Sequence, residues 1–465
     1  MENDSPVIQD VYKEIDKYQE RMVADISRLV RCKSVAETPK PGMPFGEGPY
    51  KALQMALEIS RELGLKTVDL DGYVGYAEYG EGEEYVAVPV HLDVVPEGTG
   101  WSVDPYEGVI KDGKLYGRGS SDNKGPSVAA IYALKVLKDL NVQTKRRVRV
   151  IFGTNEESGM ACLDYYFQKE PLPLYGFSPD AEYPAYNREK GIMSVFLKKK
   201  TEELTRFTPI VSITAGSAIN VVPESCTVTL KETWNDSLEI LKDISEGKPG
   251  NVYFINEKPG KVIAARGTPA HGSRPEEGLN AVAVMLQYLF EKLPSLNECE
   301  FLQYIKENIG FETDGTSLGI AMEDGLSGKL TNNLGLFRMT EKEASAGLNI
   351  RYPVTCKGED VLKGLKASAR VKNIDVVMES DSPPLYVPED HPLIQKLMTA
   401  YETVTGEKGE LRSMGGGTYA RKLQNRGIAF GGTGHNVHQA DEHIVIEELM
   451  RHARICTQAI YELVI

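Results

Sequence analysis

The sequence predicts an α/β protein of two domains, in which an inserted α+β domain interrupts the first. Strand and helix patterns alternate up to about residue 190, which is typical of an α/β layer. From Gly191 strand patterns dominate, and helix patterns return after the proline pair Pro383 and Pro384. The length of 465 residues agrees with two or three domains, because one domain usually holds ~100–200 residues.

The first domain begins with a predicted amphipathic helix. Apolar residues recur there every three or four positions, at Val11, Ile15, Tyr18, Met22, Ile26 and Leu29. A buried strand is predicted by EEYVAVPV, which leads to His91. A helix is predicted by PSVAAIYALKVLKDL, and a strand that enters a core by RRVRVIFGT.

The inserted domain is rich in predicted strands. These are PIVSITAG, CTVTLKE, GKVIAARG and AGLNIRYPV, and one clear helix pattern, LNAVAVMLQYLFEKL, interrupts them. The stretch SDSPPLYVPEDHP reads as a linker back to the first domain. Helix patterns then follow in LIQKLMTAYETVTG and EELMRHARICTQAIYELVI. These changes place the first domain at residues 1–190 and 384–465, and the insert at residues 191–383.

Charge and composition exclude several classes of partner. The formal net charge of -14 and a pI near 5.2 disfavour nucleic acid and anionic lipid. The chain contains no run of ~18 apolar residues and no secretory signal pattern, so we expect neither a membrane span nor export. Six scattered cysteines without a C-x-x-C pair indicate free thiols in a reducing compartment, so we expect a cytoplasmic protein.

The first candidate site is a histidine at the end of a buried strand. His91 would be held rigidly at the rim of a sheet, and Asp93 follows two residues later. An aspartate at this position can accept the other ring N–H of the histidine, as partners of metal-binding histidines do. The alternative is a rim histidine beside a solvated aspartate.

Further acidic residues lie in a predicted turn and at the ends of predicted strands. Asp122 lies in a glycine-rich turn before a helix, where a simple N-cap is the alternative role. Glu156 and Glu157 end a predicted strand, and adjacent like charges there are costly unless a cation or proton compensates them. An exposed acidic loop is the alternative for that pair. Asp180 follows another short apolar run, and the stretch GGTGHNVHQADEH near the C terminus carries His435, His438 and His443.

Together these residues favour a metal site. Mixed nitrogen and oxygen donors suit zinc, with manganese or cobalt as other occupants. The carboxylates outnumber those that one zinc ion needs, so we expect two divalent metal ions. Paired ions of this kind lie ~3.5–4 Å apart and share a ligand.

At this point the chain resembles a known family. The motifs HLDVVP, YGRGSSDNKG, NEESG, SPDAEYP, HGSRPEEGLNA and HQADE occur in the order used by the cocatalytic di-zinc aminoacylases and exopeptidases. That family includes acetylornithine deacetylase, succinyl-diaminopimelate desuccinylase and the carnosinase-like dipeptidases. GLNIRYP and MGGGTYAR are similar to the bacterial PepV-type dipeptidases. The resemblance covers nearly the whole chain.

The resemblance implies an α/β/α catalytic domain with a mixed sheet and an inserted α+β lid. It implies one metal ion bound by His91, Asp122 and Asp180. A second ion is implied at Asp122, Glu157 and His438, with Asp122 bridging. His438 is preferred to His435 because HQADE matches the spacing of the family. Glu156 resembles the general base, and Asp93 the residue that orients His91.

Residues of the lid and a glycine of the first domain complete the implied site. His271 resembles the histidine that stabilises the oxyanion, and Asn220 its partner. Arg351 resembles the arginine that holds the substrate carboxylate, with Gly416 in the backbone cradle for the same group. The resemblance also implies closure of the lid around substrate and a histidine supplied in cis. A monomer could therefore hold a complete site, and a homodimer is not excluded.

Three functions follow as hypotheses. The first is a dipeptidase acting on dipeptides with a free amine and a free carboxylate. The second is an N-acyl amino acid amidohydrolase of the same family, such as a deacetylase or desuccinylase. The third is a catalytically silent metal- or peptide-binding protein, which Glu156 argues against because a binder has no need of a general base.

Overall fold

The computed structural model describes residues 8–200, 208–231, 248–255, 261–432 and 434–465. Its contacts divide the chain into two compact units. The first comprises Met1–Arg188, Leu385–Arg412 and Gly417–Ile465, and the second comprises Glu189–Pro384 and Ser413–Gly416. The sequence analysis assigned residues 189–190, 384 and 413–416 to the first domain, whereas their contacts group them with the second unit. Glu232 and Gly260, at the ends of two predicted strands, lie outside the described residues.

The helices and strands are as follows. The described α-helices are Ile8–Asp16, Gln19–Val30, Glu47–Glu62, Gly125–Asp139, Ala161–Lys169, Ala281–Lys292, Glu300–Asn308, Gly358–Arg370, Pro392–Thr405 and Ile446–Val464. The described strands are β1 (Lys66–Leu70), β2 (Val74–Tyr79), β3 (Tyr85–His91), β4 (Val109–Lys111), β5 (Lys114–Tyr116), β6 (Arg147–Gly153), β7 (Tyr175–Ser178), β8 (Ala185–Glu189), β9 (Gly191–Lys200), β10 (Ile210–Ala215), β11 (Ser225–Leu230), β12 (Val252–Phe254), β13 (Lys261–Arg266), β14 (Glu323–Asp324), β15 (Gly328–Lys329), β16 (Thr331–Met339), β17 (Glu343–Tyr352), β18 (Asp375–Ser382), β19 (Leu385–Tyr386), β20 (Leu411–Met414), β21 (Gly427–Ala429) and β22 (His443–Val445).

A mixed sheet forms the centre of the first unit. Its strand order is β1-β2-β6-β3-β7-β21-β8-β19, and β20 pairs with β8. β3 pairs in parallel with β6 and with β7, and β21 pairs in parallel with β7. β2 pairs antiparallel with both β1 and β6. The C-terminal segment also supplies β22, which joins β5 and β4 in a small separate sheet.

Helices cover both faces of this mixed sheet. Successive side chains of a strand point to opposite faces. Val86, Val88 and Val90 of β3 accordingly belong to one apolar core, whereas Tyr85 and Ala87 belong to another. The first core contains buried residues of most helices of this unit, and the second contains residues of Ala161–Lys169. The predicted α/β/α arrangement with a mixed sheet is therefore confirmed.

The second unit is built on an antiparallel sheet. Its order is β12-β13-β11-β10-β16-β17-β9-β18. Alternate residues of β17, from Ala344 to Ile350, join a core that also holds residues of the helices Ala281–Lys292, Glu300–Asn308 and Gly358–Arg370. Asn349 and Arg351 occupy the other alternate positions, so they point to the opposite face of this sheet. The α+β character predicted for the insert is confirmed.

Two predicted elements differ in detail. The single helix expected from Val11 to Leu29 is two helices, Ile8–Asp16 and Gln19–Val30. Tyr18 separates them with φ -95° and ψ 2°, and its hydroxyl donates a hydrogen bond to the Asp139 carboxylate. The predicted return linker contains the end of β18 and the short strand β19. In the described part of the chain, no helix has both the length and the apolar character needed to cross a membrane.

A glycine at the end of β6 gives a testable packing constraint. Gly153 pairs with His91, and a Cβ added to it would lie 2.1 Å from the Tyr419 hydroxyl oxygen. Overpacking of this kind typically costs ~1–3 kcal/mol. We expect Gly153→Ala to lower the melting temperature in a thermal unfolding scan. Gly325→Ala is the control, because a Cβ there meets nothing within 4 Å. Equal melting temperatures for the two variants would contradict this packing argument.

Candidate metal centre

The predicted ligands lie at neighbouring strand ends. His91 is the last residue of β3, Glu156 and Glu157 follow β6, and Asp180 follows β7. Because β3 pairs in parallel with both β6 and β7, the carboxyl ends of these strands meet at one edge of the sheet. Binding sites of open α/β sheets form at such edges.

Asp122 connects the two imidazoles of the cluster. It lies in the turn Ser120–Lys124, just before the helix Gly125–Asp139. Its Oδ1 is 2.8 Å from His91 Nε2, and its Oδ2 is 2.9 Å from His438 Nε2. One carboxylate therefore reaches both histidines, which is the geometry that a bridging ligand needs.

Two further carboxylates each lie close to one of these imidazoles. Asp180 Oδ1 lies 3.5 Å from His91 Nε2, and Glu157 Oε1 lies 3.1 Å from His438 Nε2. Candidate ligand atoms of His91, Asp122 and Glu157 lie within 4.8 Å of one another, as do those of His91, Glu156 and Asp180. The predicted ligands are thus brought together from widely separated segments of the first unit.

Of the nearby histidines, His438 joins this cluster and His435 does not. His435 Nε2 contacts Glu448 Oε2 at 2.9 Å, and its ring stacks on that of His443 with centroids 5.0 Å apart. The spacing of the HQADE motif had favoured His438 for this place.

Asp93 supports the cluster differently from the prediction. Its carboxylate was expected to accept the ring N–H of His91, but the Nδ1–Oδ1 distance is 3.7 Å, too long for a hydrogen bond. The Asp93 carbonyl oxygen lies 2.9 Å from Nδ1 instead. The carboxylate accepts the backbone N–H groups of Glu156 and Glu157 at 3.0 and 3.1 Å.

This backbone contact fixes the tautomer of His91. A carbonyl oxygen only accepts, so Nδ1 carries a proton, and Nε2 is the ring nitrogen that faces Asp122 and Asp180 and would bind a metal ion. Metal-binding histidines use this arrangement, in which the second ring nitrogen donates to a carbonyl or carboxylate.

Glu156 has an unusual environment. Its Oε1 is buried and has no hydrogen-bond partner among the described residues. Burial, and then the negative charge of Asp180, raise the pKa of this carboxyl well above its usual value. A buried acceptor without a partner costs free energy, so its position close to His91 and Asp180 is a sign of function.

The charges of the cluster fit a cation. Burial opposes protonation of His91, yet Asp180 and Asp122 outweigh it and raise its pKa well above the usual value. For His438, Asp122 and Glu157 likewise outweigh burial and raise the pKa to about 10. Carboxylates crowded around two imidazoles provide the mixed oxygen and nitrogen donors that zinc and related ions bind.

Several supporting residues were not identified from the sequence. The buried Glu442 carboxylate contacts the turn that carries Asp122, and Arg118 pairs with it at 2.5 Å. Tyr419 packs edge-on against His91, and its hydroxyl is 2.9 Å from Cys162 Sγ. Glu442 ends the HQADE motif, which was the one available signal for it.

In the second unit, the structure brings His271 and Asn220 together. Gly272 N donates to Asn220 O at 2.7 Å, and Val221 forms a β-bridge with His271. Ser273 N donates to His271 Nδ1 at 3.2 Å. Since Nδ1 accepts this bond, the neutral ring carries its proton on Nε2 and can donate from there.

Arg351 and the glycine segment also meet within the second unit. Arg351 Nε donates to Asn349 Oδ1 at 2.9 Å, and its Nη1 donates to Gly415 O at 2.8 Å. These contacts fix the plane of the guanidinium next to Gly415. A Cβ added to the following residue, Gly416, would meet nothing within 4 Å. The backbone at Gly416 therefore has open space beside it.

Comparisons with known proteins identify relatives of this chain. Residues 87–462 match the model of Peptidase family M20/M25/M40. "Putative dipeptidase YtjP" of Bacillus subtilis (strain 168) is 36% identical over 460 residues, with 97% of this chain and 98% of the relative covered. A Staphylococcus haemolyticus protein, also named a "Putative dipeptidase", is 31% identical over 463 residues, with 97% of this chain and 98% of the relative covered.

Solved structures show the same fold. The crystal structure of human carnosine dipeptidase 1 superposes with a TM-score of 0.60 at 16% sequence identity. The match covers 99% of each chain. At this level of identity the likeness concerns the fold alone, whereas the family match extends over most of the sequence. The chain belongs to the M20/M25/M40 family of peptidases.

Proposed function

We propose that this protein is a metal-dependent dipeptidase that hydrolyses dipeptides with a free N-terminal amine and a free C-terminal carboxylate. One observation carries the proposal. The Asp122 carboxylate spans two imidazoles, while the Glu156 carboxylate lies near His91 and its Oε1 is buried without a partner among the described residues. Relatives named as dipeptidases support this substrate class over the N-acyl amino acids that the sequence left open.

The cluster would hold two divalent metal ions. We assign His91, Asp122 and Asp180 to one ion, and Asp122, Glu157 and His438 to the other. Zinc is the first candidate because imidazole and carboxylate donors suit it, with manganese and cobalt as alternatives. Bound ions of this kind polarise a carbonyl and lower the pKa of water towards neutrality.

Glu156 is the proposed proton carrier. As a general base it takes a proton from the attacking water, and as a general acid it returns that proton to the leaving amine. Burial and the negative charge of Asp180 raise its pKa, which favours the return of the proton to the leaving amine. Asp93 fixes the backbone at Glu156 and Glu157 through its carboxylate, and it fixes the His91 ring through its carbonyl oxygen.

The second unit would supply substrate-binding groups. We propose that His271 donates from Nε2 to the oxyanion, with Asn220 as its partner. We propose that Arg351 and the backbone of Gly416 bind the substrate carboxylate. The contacts of Ser273 with His271 and of Asn349 with Arg351 support these roles, because they orient the two side chains.

The proposal also includes the cellular compartment and the oligomeric state. We place the reaction in the cytoplasm, since all six cysteines are free and such thiols are typical of a reducing compartment. We also propose that one chain holds all the groups that the reaction needs, so that a monomer is active.

A substrate panel tests this function. Purified protein is assayed with free dipeptides, dipeptide amides and N-acyl amino acids, before and after chelation and with zinc, manganese or cobalt restored. We expect free dipeptides to be cleaved fastest and chelation to abolish turnover. Dipeptide amides should react ~10–100-fold less efficiently, because hydrogen bonds to charged groups contribute ~1.5–3 kcal/mol.

Two outcomes of this panel would contradict the proposal. Faster turnover of an N-acyl amino acid than of any dipeptide would favour the amidohydrolase. Protein that binds no metal and cleaves nothing after ions are added would exclude the whole mechanism. Elemental analysis of the same sample gives the number of ions per chain.

A further inference from the structure

Glu442 is a wholly buried carboxylate that no proposed catalytic step uses. Its oxygens accept the backbone N–H groups of Gly119, Ser121 and Asp122, each at 3.1 Å. Successive backbone N–H groups that converge in a turn form an anion-binding concavity. Glu442 fills this concavity with its own charge, directly behind the turn that carries Asp122.

Arg118 balances the charge of Glu442. Its Nη1 donates to Glu442 Oε2 at 2.5 Å, its Nη2 donates to Glu97 O at 3.2 Å, and its guanidinium lies 5.3 Å from the Trp101 ring. A buried ion pair contributes little net stability, because desolvation offsets the attraction. What this pair does provide is a fixed geometry, since both oxygens of the carboxylate have defined donors.

The same two segments are joined at further points. Gly117 N donates to Glu442 O at 3.0 Å, and Ser121 Oγ donates to His443 O at 2.8 Å. His443 also pairs with Tyr116 between β22 and β5. The turn that carries Asp122 and the segment that follows His438 are therefore held together as one piece.

We infer that Glu442, with Arg118, is a positioning residue that sets the distance between Asp122 and His438 and so forms the site of the second metal ion. Glu442 acts through these ligands, because both its oxygens are engaged by protein donors. The inference rests on the proposed function, in which Asp122, Glu157 and His438 bind that ion. The 2.9 Å contact between Asp122 and His438 is the geometry that Glu442 maintains.

Metal titration of the apoprotein tests this role independently of activity. Zinc or cobalt is added to chelator-treated wild type, Glu442→Gln and His438→Ala, and each binding step is measured by calorimetry and by the cobalt absorption spectrum. Partners behind metal ligands typically change metal affinity ~10–100-fold. We expect Glu442→Gln to weaken one of the two steps by about this factor, and we expect it to be the step that His438→Ala removes.

Asp324→Asn is the matched control. Asp324 belongs to the second unit, and its carboxylate likewise accepts backbone N–H groups, from Leu326, Ser327 and Thr355. We expect the Asp324→Asn variant to have a lower melting temperature than wild type but unchanged affinity in both metal-binding steps. If Glu442→Gln behaves in the same way, Glu442 has only a structural role and the inference is wrong.

The other outcomes are also decisive. Two unchanged binding steps in Glu442→Gln would overturn the inference and leave the proposed function intact, whereas a wild type that binds no metal would overturn the proposed function itself. If Glu442→Gln does not fold, Arg118→Lys replaces it, because Arg118 is the side chain that pairs with the Glu442 carboxylate. Arg118→Lys should then weaken the same step, and unchanged affinity would refute the inference.

Discussion

Glu156→Gln is expected to lower kcat for dipeptides by ~10²–10⁴-fold while both metal ions stay bound. General acid–base groups typically contribute this factor, and glutamine has the same size but cannot carry the proton. Metal content should be preserved because Glu156 belongs to neither proposed ligand set. The measurement is kcat at saturating dipeptide, with elemental analysis of the same preparation.

Two further variants sharpen this result. Glu58→Gln makes the same chemical change at an exposed position of the first unit and should leave kcat unchanged. Glu156→Asp keeps a carboxylate but shortens its reach, so it should retain more activity than Glu156→Gln. Full activity in Glu156→Gln would show that another group transfers the proton.

Asp122→Asn is expected to have the largest effect of any single ligand change. The Asp122 carboxylate lies within 2.9 Å of both imidazoles, so it belongs to both ligand sets. Loss of its charge should weaken both ions together. Metal ions stabilise the transition state by several kcal/mol, so we expect dipeptide turnover to fall by about 10³-fold or more.

Comparison of Asp180→Asn with Asp122→Asn distinguishes a ligand of one metal ion from a ligand that bridges two. Asp180 lies 3.5 Å from His91 and belongs to one ligand set only. Metal titration should show one weakened step for Asp180→Asn and two for Asp122→Asn. If Asp122→Asn binds two ions with wild-type affinity, Asp122 does not bridge, and the ligand assignment must be revised.

Local sequence patterns predicted the strand ends of the candidate site well. The apolar run before His91 is strand β3, and the apolar run before Glu156 is β6. A short apolar run that ends abruptly in charged residues identifies a buried strand and its rim from neighbouring residues alone. The order of the motifs then indicated which rim residues meet, because the family resemblance carries information about tertiary structure that periodicity lacks.

Contacts between distant segments could not be predicted in this way. Arg118 and Glu442 are 324 residues apart, and no periodicity connects them. The contact of Asp93 with His91 depends on which oxygen faces the ring, a matter of a few ångströms that sequence does not encode locally. The break between the first two helices at Tyr18 was not predicted, because the apolar positions keep their helical spacing across it.

The place of β21 in the central sheet constrains how the chain can fold during synthesis. This strand lies between β7 and β8, yet it is made after the whole span Glu189–Pro384 that forms most of the second unit. Domains generally fold as units as they leave the ribosome, so the second unit can form first. The sheet of the first unit stays open until Gly427–Ala429 emerges, and His438 comes later still. A nascent chain therefore lacks a competent centre until both β21 and His438 have been made, so the ability to cut peptides comes only after the second unit has been synthesised.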